Sequence, residues 1–280
     1  MLARVIFEVL ISNNFESTRP MQEPIQKLKQ KPILHVFLIS HYCEKARWAL
    51  DLAGVDYQVN LLSPLEHAKT AKAIGASSSA LPILQMQSVE NGGTQIIQGS
   101  ADILSWANQQ AFINGKHGLS ISEESNEIEK RLDDVLGVHV RRWFYSESLL
   151  DCPQTVRPVF AEGSGFVSRI ILRLAWPKVV ATMIKRMDLG RQQETQSKDI
   201  VAEQLNWLDS LLAGDRQFLV GDSLSNADIA AASLIAPLFS PAKHPASNIV
   251  MLPPRVAITA EQWKSRPLAN WLSKLYSEKR

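Results

Sequence analysis

The sequence predicts a mixed α/β domain followed by an all-helical domain, and three observations carry that reading. Its 280 residues exceed the usual single domain of about 100 to 200. Up to about residue 112, short apolar runs alternate with stretches of helical periodicity, whereas from Ser122 onward every readable pattern has the helical period. Apolar residues at 45% and charged residues at 21% are ordinary for a globular chain.

Ile33 to Ile39 is apolar except for His35 and is bounded by Pro32 and Ser40, as expected of a central strand buried on both faces. Tyr42 to Ala53 follows as an amphipathic helix stopped by Gly54. Tyr57, Val59 and Leu61 alternate in a second strand. Ser63-Pro64-Leu65-Glu66 then offers an N-cap, a first-turn proline and a capping-box glutamate for a helix that fades near Gly75. Leu81-Pro82-Ile83-Leu84 opens a third strand, Asn91-Gly92-Gly93 reads as a hairpin turn, and Thr94 to Gln98 pairs back. Ser100 is placed to cap a helix through Asn108. In the second half, Ile128, Leu132, Val135, Leu136 and Val140 form one helical stripe, and Ile200, Leu205, Leu208, Leu211 and Leu212 form another. The domains are therefore read as 32–112 and 122–280, with an apolar but basic segment, Gly165 to Arg186, inside the stretch 149–198.

Thirty basic against 28 acidic residues leave a formal charge of +2, too small for a dedicated nucleic-acid binder. Cys43 and Cys152 lack CxxC or Cys/His ligand spacing, which argues against a disulfide framework or zinc site and fits the reducing cytoplasm. His41 and Cys43 alone are too few ligands for a metal, and Gly163-Ser164-Gly165 lacks the preceding strand of a phosphate loop. The run Met1 to Ile11 contains Arg4 and Glu8 and is shorter than the roughly 20 residues of a membrane span. Residues 1–31 are read as a poorly ordered extension, with Met21 as an alternative start.

Three segments carry a family resemblance. Ser40-His41-Tyr42-Cys43-Glu44-Lys45-Ala46-Arg47, between the first strand and first helix, resembles the active-site turn of serine-type and cysteine-type glutathione transferases. Leu81-Pro82 is similar to the dipeptide at which that family places a cis-proline. Gly221-Asp222-Ser223-Leu224-Ser225-Asn226-Ala227-Asp228-Ile229 resembles its helix-starting motif in the second domain, where Ser225 and Asp228 can cap each other's backbone. The resemblance runs from Ile33 to about Tyr276 and is nearest to bacterial members with an insertion in the helical domain. It implies a thioredoxin-like N-terminal domain and a helical-bundle glutathione S-transferase C-terminal domain.

By that resemblance Ser40 activates the glutathione thiol, since a hydroxyl donating to sulfur beside a helix N-terminus favours the thiolate. Helix capping alone is the other reading of Ser40. Cys43, also in the first turn, is a second candidate through a mixed disulfide, although cysteine-type members carry their thiol at the position of Ser40. The resemblance assigns backbone pairing with glutathione to Leu81 beside Pro82, and its γ-glutamyl carboxylate to Ser100. Gly99 stands where the family commonly has an acidic residue or glutamine, with Gln98 as a possible substitute. Arg47 is read as structural. Tyr42 and the segment Arg141-Arg142-Trp143-Phe144-Tyr145, in particular Arg142 and Trp143, are candidates for a pocket holding the second substrate.

The leading expectation is an enzyme whose co-substrate is glutathione and which needs no metal. The thiolate attacks a small hydrophobic electrophile or reduces a peroxide, and a homodimer follows from the resemblance. One alternative is a non-catalytic, metaxin-like relative whose Gly165–Arg186 segment contacts a membrane or a partner. A thiol transferase acting through Cys43 is the other.

Overall fold

Strand β1 (Ile33–Val36) lies between a parallel neighbour, β2 (Gln58–Leu61), and an antiparallel one, β3 (Ile83–Gln87), while β4 (Thr94–Gln98) closes the far edge. This computed structural model describes residues 30–87, 93–214 and 216–280. The expectations for an N-terminal extension, for Met21 and for the turn at Asn91-Gly92 lie outside the described residues. The parallel β1/β2 pair needs a crossover, and helix α1 (His41–Leu52) supplies it. Helices α2 (His67–Ala73) and α3 (Ser100–Ile113) complete the first domain.

Local chemistry moves several boundaries. β1 ends at Val36 rather than Ile39, because Phe37 and Ile39 leave the sheet to pack against apolar side chains of the second domain. Regular helix after β2 starts at His67, a turn later than Ser63. The Glu66 carboxylate nevertheless accepts from the Ser63 amide at 3.2 Å and its hydroxyl at 2.7 Å, so the glutamate half of the expected capping box forms around a turn, while the Glu66 amide donates to the Ser63 carbonyl instead of its hydroxyl. Gly99, not Ser100, is the N-cap of α3. Its φ of 104° is one a side chain would resist, and the helix runs to Ile113 instead of stopping at Asn108.

The second domain is helical: α4 (Glu123–Arg131), a π-helical turn Leu132–Gly137, α5 (Val138–Asp151), α6 (Pro153–Phe160), α7 (Phe166–Met187), α8 (Arg191–Leu211), α9 (Asn226–Phe239), α10 (Pro254–Trp263) and α11 (Pro267–Lys279). Ile128, Leu132, Leu136 and Val140 are buried at intervals of four, a spacing that drifts around an α-helix. The wider π turn brings them back toward one face. Val135, expected in the same stripe, is only half-buried.

Helix α9 is buried along nearly its whole length, so its first amides must be satisfied from within the protein. The Ser225 amide and hydroxyl donate to Asp228 Oδ2 at 2.8 and 2.6 Å, the Ser225 hydroxyl accepts from the Asp228 amide at 3.3 Å, and the Leu219 amide donates to Asp228 Oδ1 at 2.8 Å. Ser225 and Asp228 are thus structural residues, Asp228 binding two chain segments together.

Helix α1 is buried on most of its surface, charged residues included. Lys45 Nζ reaches Glu129 Oε1 at 2.7 Å and Asp133 Oδ2 at 2.6 Å in the second domain. Glu44 receives Arg280 Nε at 2.7 Å, and Trp48 donates its indole N–H to the Lys279 carbonyl at 2.9 Å. One apolar core runs across the same boundary, joining Leu34, Trp48 and Ile103 to Leu136, Leu205, Ile229 and Tyr276.

Asp228→Ala is expected to destabilise the chain by about 2 to 4 kcal/mol, from a lost cap and an orphaned Leu219 amide. Urea unfolding monitored by tryptophan fluorescence reads this as a lowered midpoint. An unchanged midpoint would mean that the carboxylate is dispensable.

Candidate functional site

The end of β1 and the start of α1 open onto a cavity of about 670 Å³ between the two domains. Its floor is Phe37, Ile39, Ser40, His41 and Tyr42. Leu81 contributes from the bend before β3, Arg141, Phe144 and Tyr145 from α5, Lys178, Val179, Met183 and Arg186 from α7, and Ser240 and His244 from the segment after α9. Part of this wall is a satellite core in which Leu172, Trp176 and Val179 of α7 pack on Tyr145, Leu149 and Phe160. The apolar but basic segment Gly165 to Arg186 therefore builds one side of the site.

Ser40 caps α1, its Oγ accepting from the Cys43 amide at 3.4 Å. That contact uses an acceptor lone pair and does not itself take up the hydroxyl proton. Capping and ligand contact are thus compatible in one side chain. Cys43 lies behind the wall, fully buried and absent from the cavity lining. Burial pushes its thiol up, against the lowering influence of Arg47 and the Ser40 hydroxyl, so the thiolate is disfavoured there. Arg47 is also buried and lies 3.5 Å from Glu44.

The Leu81–Pro82 bond is cis, and the Pro82 carbonyl accepts from the Gly99 amide at 3.1 Å, placing the start of α3 beside the bend. Leu81 itself faces the cavity, and its amide and carbonyl have no hydrogen-bond partner among the described residues. Ser100 is buried in the first turn of α3 and does not line the cavity. Gln98 is committed elsewhere: its amide donates to the Ser78 and Ala80 carbonyls at 2.8 Å, and its oxygen accepts from the Ser77 hydroxyl at 2.7 Å. It holds the loop before Pro82 in place.

Tyr42 lines the cavity, donates to the Asp133 carbonyl at 2.7 Å and packs so closely on Gly137 that a Cβ there would lie 2.5 Å from its hydroxyl. Arg142 and Trp143 do not line it. Arg142 pairs with Asp188, and Trp143 packs against Trp263 with its ring centroid 5.4 Å away. The helical period explains this, because neighbours Arg141 and Phe144 occupy the face that looks into the cavity.

His41, read in the sequence only as an insufficient metal ligand, is joined here by His244, which the sequence does not single out. His41 and His244 are both buried in the cavity wall, and the Nε2 of each lacks a hydrogen-bond partner. Burial, aided by Arg141, holds His41 down to about 3; burial, aided by Arg47 and Arg280, holds His244 down to about 4. Both are neutral at physiological pH. The charged residues of the wall, Arg141, Lys178 and Arg186, are all cationic, and none has an ion-pair partner among the described residues. Among the described residues no group of three or more His, Cys, Asp or Glu side chains is arranged to hold a metal.

Comparison with known proteins places both halves of the chain. Residues 34–115 match the family model of the glutathione S-transferase N-terminal domain, and residues 172–247 match that of the C-terminal domain. No curated protein matches the chain in sequence. Among solved structures, a glutathione transferase from Phanerochaete chrysosporium superposes with a TM-score of 0.60 at 11% identity, over 91% of this chain and 98% of its own. A glutathione S-transferase of Ceriporiopsis subvermispora in complex with glutathione gives 0.59 at 12% identity, over 90% and 98%. A glutathione transferase family member from Pseudomonas fluorescens, with two glutathione molecules bound, gives 0.51 at 15%, over 91% and 95%. At these identities the likeness establishes the fold.

A histidine whose folded pKa lies below its unfolded value takes up protons on unfolding, so its contribution to stability is complete above about pH 6.5 and is lost as the pH falls. Between pH 6.5 and 4, His41 and His244 are each expected to remove up to about 1.4 kcal/mol of stability per pH unit. Denaturant unfolding across this range should show a shallower pH dependence in His244→Gln, and a slope equal to wild type would rule the histidine out as its source.

Proposed function

We propose that this chain, which belongs to the glutathione S-transferase superfamily by the two domain models it matches, activates the thiol of glutathione at Ser40 for attack on an electrophile held in the adjoining cavity. One observation carries the reading: the Ser40 hydroxyl stands at the N-terminus of α1, on the cavity wall it shares with Leu81 and its unpaired backbone. An extended peptide can pair with Leu81 and bring its sulfur toward Ser40.

The energetics are sufficient. A free thiol titrates near 8.5, and lowering it by about two units takes roughly 2.7 kcal/mol. One charge-assisted hydrogen bond supplies about 1.5 to 3 kcal/mol, and the helix N-terminus adds about 0.3 to 1. In conjugation the thiolate electron pair forms the sulfur–carbon bond, the leaving group departs with its own pair, and the thiol proton goes to solvent. Peroxide reduction by the same thiolate is the alternative chemistry. Thiol transfer through Cys43 has no support from its position, since that sulfur is buried away from the cavity.

The second substrate is proposed to be apolar and to carry a negative charge. Phe37, Phe144, Tyr145 and Val179 offer it apolar surface, while Arg141, Lys178 and Arg186 are unneutralised by any carboxylate on the wall.

With a chloronitrobenzene as substrate, Ser40→Ala and Ser40→Gly are both expected to lower kcat/KM about a hundredfold, the equivalent of about 2.7 kcal/mol. Glycine preserves most of a serine cap's stability. Near-wild-type turnover in Ser40→Gly would therefore show that the hydroxyl is dispensable, whereas calorimetry without any heat of glutathione binding would remove the co-substrate itself. For a carboxylated chloronitrobenzene, Arg141→Gln should cost roughly a further fivefold in kcat/KM relative to the neutral one. Equal losses on the two substrates would argue against charge selection.

A further inference from the structure

Helix α7 turns one face to the cavity and leaves another uncovered. Leu172, Trp176 and Val179 are buried, and Trp176 donates its indole N–H to the Pro153 carbonyl at 3.0 Å, fixing the helix on α6. On the outward side Phe166 and Leu174 are each 78% exposed, and Val167, Ile170 and Ile171 stand exposed with them. At 100° per residue these five fall within one continuous sector of the N-terminal half of the helix, with Arg169 and Arg173 along its border. Isolated exposed apolar residues are ordinary, but a contiguous face of large ones marks a contact surface.

Charge identifies what it contacts. From Gly163 to Met187 the sequence has no Asp or Glu; Lys178 and Arg186 belong to the cavity wall, and the cations beside the outward face are Arg169 and Arg173. Neither arginine has an ion-pair partner among the described residues. A second copy of the chain is a poor occupant, because a two-fold contact would set this cationic face against itself. An apolar sector bordered by arginines instead matches the interface of a bilayer with anionic headgroups, where side chains such as Phe and Leu enter the acyl boundary and guanidinium groups remain at the phosphates. No helix among the described residues is long and apolar enough to cross a membrane, so the contact is peripheral. We infer that the outward face of the N-terminal half of α7 docks this protein on anionic lipid surfaces.

The test is co-sedimentation of the full chain with vesicles of phosphatidylcholine, with and without phosphatidylserine. Pelleting is expected only with the anionic vesicles and should weaken as salt is added. The pairs Phe166→Ser with Leu174→Ser, and Arg169→Gln with Arg173→Gln, are each expected to lower the partition coefficient about tenfold or more. All four positions are exposed, and an unchanged thermal midpoint confirms that each variant is folded. Protein left in the supernatant with anionic vesicles overturns the inference, as does binding that survives either pair. A concentration-dependent dimer that Leu174→Ser dissociates, without vesicle binding, gives the face to a second copy and overturns it as well. Ser40→Ala should sediment like the wild type, so this result and the catalytic one stand or fall separately.

Discussion

Everything about this molecule turns on α1 being buried between two domains with its ionisable side chains paired across the boundary. Lys45 is inaccessible to solvent, yet it is held by Glu129 and Asp133, and Glu44 is equally inaccessible and held by Arg280. Removing one member of such a pair leaves an uncompensated buried charge, at a cost of about 3 to 5 kcal/mol. The pairs tie α1 to the helical domain at two points of opposite sign, Lys45 to Glu129 and Asp133, and Glu44 to Arg280, which sets its register. That register also fixes where the N-terminus of α1 points.

The site inherits its geometry from this constraint. Ser40 precedes the first residue of a helix that cannot rotate, Tyr42 is locked by the Asp133 carbonyl and the absent side chain of Gly137, and Leu81 is held by a bend that Gln98 ties to the preceding loop. None of these side chains relies on a flexible surface segment. Pre-placed donors cost little reorganisation when charge develops on a ligand, which gives a hydrogen bond its largest effect on reactivity.

Much of the fold was legible in the sequence because local signals and the tertiary outcome agree. Ile33–Val36, the Leu81-Pro82 bend and the Ser225/Asp228 cap each have a short-range chemical reason that the final structure keeps. Glu44 and Lys45 were opaque: charged residues on a helix read as a solvated face, and only partners some 80 or more residues away make their burial tolerable. The misplacement of Arg142 and Trp143 has the same origin, since composition marks an aromatic, basic stretch but one residue of helical phase decides which side chains face a cavity. His244 had no signal at all. It lies in an irregular segment after α9, and its neighbours in space, Tyr276 and the cavity wall, come from elsewhere in the chain.

The same cavity poses opposing demands on a thiolate. Apolar walls from α5 and α7 withdraw water and push a thiol toward its neutral form, as burial does to Cys43 within the protein itself. A neutral His41 beside Ser40 offers no countercharge, because the burial that excludes water also keeps the imidazole unprotonated. Stabilisation of an anion therefore falls to groups that need no proton uptake: the Ser40 hydroxyl, the first amides of α1, and the guanidinium of Arg141 on the facing helix. Donors of this kind stay active across the pH range in which the histidines would otherwise switch. On the proposed reading, the thiol acidity that matters is set by fixed dipoles and permanent charge, and the histidines serve the fold.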